Sequence, residues 1–150
     1  MWSSSGSAAI VLKDPADQAT LAKVERVLRE LAADPANGIA AILDRPQMAA
    51  RGGAQQAAFV VDMQPGYAVG AALEGANVRP RRTTGGAHGY APGHPEMLAS
   101  FFIAGPGIAA GRNVGDIDMR AIAPTLARLM GVTLTTADLP PLEVLSSAPR

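Results

Sequence analysis

The chain has 150 residues, enough for one domain or two small lobes with a buried core, and 48% of them are hydrophobic, which excludes disorder throughout. Thirteen Lys and Arg balance thirteen Asp and Glu, so there is no electrostatic case for nucleic acid or membrane lipid as the main partner. Cysteine is absent, excluding disulfides and thiolate metal sites and leaving the compartment open; the longest apolar runs fall short of the roughly 18 residues a membrane span needs.

The start, Met1 to Ser7, lacks the basic residues and apolar stretch of a signal peptide and reads as a loop entering a strand. Ala8 to Leu12 is a short apolar run ended by Lys13-Asp14-Pro15, the pattern of a buried strand. Asp14 then suits a helix N-cap, with Pro15 at the first helical position, where a missing N–H costs nothing. Leu21, Val24, Val27, Leu28 and Leu31 follow at helical spacing and predict one buried face, opposite Lys23, Glu25, Arg26, Arg29 and Glu30. Asp34-Pro35 and Gly38 should end that helix.

Ile39 to Leu43 predicts a second strand, Asp44-Arg45-Pro46 a short helical turn through Met48, and Ala57 to Val61 a third strand. After a turn at Gln64-Pro65-Gly66, Tyr67 to Leu73 is expected to return as a hairpin strand. From Glu74 to Met97 neither a helical nor a strand period is visible; a stretch of this kind reads as a functional loop. Ser100 to Ala104 predicts a strand ending at Gly105-Pro106-Gly107, which lacks the Gly-Lys-Ser/Thr ending of a phosphate loop. Asn113 to Ile117 suits an edge strand. A helix capped by Asp118, starting near Met119 or after the break at Pro124, is expected to pack through Ile122, Leu126, Leu129 and Met130 and to stop at Gly131. The Pro-rich tail after Thr133 should lie across the surface.

Both histidines, His88 and His94, fall in the segment Gly85-Gly86-Ala87-His88-Gly89-Tyr90-Ala91-Pro92-Gly93-His94-Pro95-Glu96-Met97. A histidine between small residues can approach a cation closely, and neutral imidazole is a common zinc ligand. The bland reading of His88 is a loop histidine hydrogen-bonded to a nearby carbonyl, and that of His94 a solvated one. Tyr90 could stack near a site or seal the loop against the core. Glu96 could brace a ligand histidine or be a surface charge. Arg79, Arg81 and Arg82 could attract phosphate or be solvated.

GAHGYAPGHPEM, then SFFIAGPGI, then DIDMRAIAPTLARLMGV resemble the C-terminal signature of type I phosphodiesterase/nucleotide pyrophosphatase proteins of the alkaline phosphatase superfamily. Upstream, SSGSAAIVLKDPAD and NGIAAILDR look like the cap lobe of the same proteins. The resemblance implies an α/β fold: a cap-lobe-like α+β segment over residues 1–78, then, over 79–150, the C-terminal part of an alkaline-phosphatase-like mixed-sheet domain.

It implies zinc-dependent hydrolysis of a phosphodiester or pyrophosphate bond in a phosphate ester or nucleotide, at a two-zinc site with His88 as one ligand. The family's nucleophile and its other ligands have no counterpart here; Asp62 and Asp116 lie outside the settings those ligands occupy. The expectation is therefore an incomplete C-terminal piece, inactive alone. Its strands would lack neighbours, and the exposed edges would favour self-association. The family is often exported. A non-catalytic remnant or binding module, or a phosphonate or sulfate ester hydrolase, stands as the alternative.

Overall fold

The computed structural model describes residues 1–81 and 85–144. The chain forms two compact units, Met1–Ala99 and Ser100–Arg150.

The first unit is built on a four-stranded antiparallel sheet of order β1-β2-β4-β3, with β1 at Trp2–Ser3, β2 at Ser7–Ile10, β3 at Ile39–Asp44 and β4 at Phe59–Met63. The fold class is thus mixed α and β. Strand β4 is central because its residues are the most apolar and can be covered on both faces. Helix α1, Gln18–Ala33, covers one face: Leu21, Val24 and Leu28 meet Ile10, Phe59, Val61 and Ile42. The short helix α2, Arg45–Ala49, puts Met48 on the other face, against Ala9, Val60 and Leu43. The period-2 alternation of β4 divides its side chains between these two cores.

Several elements differ from the sequence expectation. The N-cap of α1 is Asp17, not Asp14: Asp17 accepts from the Thr20 amide and hydroxyl, whereas Asp14 closes a local turn by accepting from the Ala16 N–H. Val27 lies on the exposed side of the helix. The first strand stops at Ile10, and Trp2–Ser3 forms a strand where a loop was expected. Tyr67 to Leu73 forms no strand. Both edges of β4 are taken by β2 and β3, so a hairpin return has nowhere to pair, and the Val69 amide bonds the Ser5 carbonyl instead. The helical stop at Asp34-Pro35 and Gly38, the helical turn through Met48 and the turn at Gln64 to Gly66 form as expected, and Asp44 caps the second of these.

In the second unit a 3-10 turn at Met119–Ala121 leads into helix α3, Ile122–Leu129, which Gly131 terminates at φ +68°. Among the described residues Ser100–Ala104 and Asn113–Ile117 are not strands. The Asn113 side chain accepts from the Gly115 N–H, and Gly115 at φ +69° breaks any extended run. The face of α3 that packs is Ala121, Pro124 and Thr125, while Leu126 and Met130 are exposed. Thr125 decides this: its hydroxyl donates to the Ala121 carbonyl and accepts from the Leu142 N–H, which docks the tail there. No helix among the described residues is long and apolar enough to cross a membrane.

Asp118 caps this turn, accepting from the Arg120 amide and guanidinium. The Arg120 side-chain hydrogen bonds, and then its backbone N–H, hold the Asp118 carboxyl down at about 2. A depressed folded-state value means the cap's contribution is fully present above the ordinary carboxylate range and is lost as pH falls through about 2. Carboxyl-detected NMR titration should therefore give Asp118 a midpoint of about 2, rising toward the usual range in Arg120→Ala.

Candidate functional site

The histidine loop belongs to the first unit and docks on the sheet face opposite α1. Contacts at His88, Gly89, Tyr90 and Ala91 bring it there. The His88 carbonyl accepts from the Gly6 N–H at 2.7 Å, in the turn between β1 and β2. Gly89, at φ +81°, lies so close to Ser4 that a Cβ would collide with the Ser4 carbonyl and side chain. Glycine is therefore required there on two counts. The Ala91 N–H donates to Asp62 Oδ1 at 2.7 Å. The Tyr90 ring covers Gly6, and its hydroxyl donates to the Tyr67 carbonyl at 2.7 Å.

His88 itself is exposed, and its ring makes no hydrogen bond to another described residue. Its backbone is fixed while its imidazole is presented outward. His94 behaves differently. It is not a solvated loop histidine: its ring is only 18% exposed, and Nε2 lies 2.7 Å from Asp62 Oδ2. The Tyr90 ring stands edge-on to it, 5.8 Å between centroids. Tyr90 thus seals the loop against the sheet.

Asp62 is the residue that sequence reasoning passed over. It occupies the fourth position of β4, paired in register with Ser7 on β2 and Ala41 on β3, and is 4% exposed. Small neighbours on both sides leave room for a loop to reach the carboxylate. The signal was available: an acid inside the apolar run FVVDM needs a buried partner, and ending the strand at Val61 hid it.

The other candidates are not drawn in. Glu96 is exposed in a 3-10 turn, Pro95–Met97. Arg79 is exposed and donates to the Glu74 carbonyl, Arg81 is exposed, and Arg82 lies outside the described residues. Two open grooves, of about 390 and 380 Å³, run between α1 and β3 and along Phe101 to Ile108; the histidine loop lines neither. Among the described residues no group of three or more His, Cys, Asp or Glu is placed to hold a metal ion. No family model, curated protein or solved structure matches this chain.

Proposed function

We propose that this chain carries one metal-ligating histidine, His88, of a zinc-dependent hydrolase acting on a phosphodiester or pyrophosphate bond. The reading draws on the resemblance of Gly85 to Val132 to the alkaline phosphatase superfamily, and one observation supports it: an exposed imidazole on a loop whose backbone is held at the His88 carbonyl and again at Ala91. A ligand presented this way gives up little conformational freedom on meeting a cation.

The donor is of the right chemistry, but one imidazole does not make a catalytic zinc site, which takes three protein ligands and an open position. The described residues do not gather that set around His88, so His88 serves as one ligand among several and the hydrolytic step needs the rest. On this reading the two units are cap-lobe material with the ligand loop docked on it, and a C-terminal part of an alkaline-phosphatase-like domain. The substrate would be a phosphate ester or nucleotide.

Zinc titration of the purified chain, followed by calorimetry and by the imidazole NMR signals, tests the reading. Weak binding that moves the His88 ring is expected, with affinity falling at least about ten-fold in His88→Ala, by comparison with the loss seen when a ligand's mere support is removed. Zinc binding that leaves His88 unmoved and survives His88→Ala would overturn it.

A further inference from the structure

Asp62 is the one charged side chain among the buried described residues. Taking a carboxylate out of water costs several kcal/mol unless hydrogen bonds replace the lost hydration. Here both replacements come from the same short segment: Ala91 N–H to Oδ1 and His94 Nε2 to Oδ2, each at 2.7 Å. No other described residue donates to the Asp62 side chain. The burial of Asp62 and the docking of the loop therefore stabilise each other.

We infer that Asp62 is the positioning residue of the His88 loop, a buried carboxylate that clamps the loop to β4 just beyond His88 and holds His94 in one tautomer. The inference deepens the functional reading above and rests on it for the importance of His88. Ahead of the clamp, the Gly6 N–H holds the His88 carbonyl; behind it, Asp62 holds Ala91 and then His94. The loop is thus held at the His88 carbonyl by the β1–β2 turn and, from Ala91 on, by β4. Because an ionised carboxylate only accepts, His94 Nε2 carries a proton in this pair, and the neutral ring is the Nε2–H tautomer. Nδ1 makes no hydrogen bond to another described residue.

The test uses the metal-free chain, so that its failure is separate from failure of the zinc reading. Long-range nitrogen–proton NMR should show His94 as the Nε2–H tautomer. In Asp62→Asn the side-chain oxygen can still accept from Ala91, but the amide now donates to the ring, so the tautomer should switch to Nδ1–H while the Ala91 amide stays protected. In Asp62→Ala the Ala91 and Gly6 amides should exchange at least about ten-fold faster, with the β2–β4 ladder still protected, as for a local opening. If Asp62→Ala does not fold, His94→Ala carries the exchange test, with the same acceleration expected at Ala91. An Nδ1–H tautomer in the unmodified chain, or Ala91 and Gly6 amides unchanged when the clamp is removed, would overturn the inference. Zinc that fails to move His88 would instead overturn the functional reading and leave the clamp standing.

Discussion

Replacing Phe59 by alanine is expected to cost about 3–5 kcal/mol, the range for deleting a buried aromatic side chain. Phe59 opens the central strand, is 5% exposed, and joins Leu12, Leu28, Ala58 and Val61 in the core beneath α1. With β2 hydrogen-bonded on one side and β3 on the other, β4 cannot move in to fill the space. Against a typical domain stability of roughly 5–15 kcal/mol, the loss is a large fraction of the whole. Urea unfolding should show it as a lower midpoint at an unchanged slope. Phe102, 89% exposed, is the control; its alanine variant should shift stability by no more than about 0.5 kcal/mol. Equal effects at the two positions would contradict the core assigned to this sheet.

Gly38→Ala is expected to destabilise by about 2–6 kcal/mol, as the sum of two separate penalties. Gly38 sits at φ +62°, where a side chain costs roughly 1–3 kcal/mol. A Cβ there would also strike the Tyr67 ring, and overpacking typically adds about 1–3 kcal/mol. The damage should reach the histidine loop, since Tyr67 supplies the carbonyl to which Tyr90 donates. Thermal unfolding measures the stability loss, and the NMR signals of Tyr90 and His94 report the displacement. A variant as stable as the parent, with those signals unmoved, would show that Tyr67 does not pack on Gly38 as described.

Elements set by local chemistry were legible. The apolar stripe of α1, the turn through Met48, the Asp118 cap and the stops at Gly38 and Gly131 all depend on residues within a turn of one another. The choice of Asp17 over Asp14 was harder to read because both acids precede the helix, and only Asp17 stands where its carboxylate meets the Thr20 amide. Strands were read less well. Ser100 to Ala104 is as apolar as β4, but a strand exists only where another offers its backbone, and no ladder partner for this segment stands among the described residues.

The candidate site divides along the same line. The sequence by itself determined that both histidines share one glycine-rich segment and that Gly89 lets the backbone turn there. Only the tertiary structure decided that the two histidines differ: His88 is presented outward, whereas His94 is drawn against Asp62, 32 positions earlier in the chain. Helix periods, caps and glycine turns are written in residues a few positions apart, so their free energies can be read in place. Whether a carboxylate is buried, and which donor compensates it, depends on a sheet that must form first, and that pairing is a property of the whole unit.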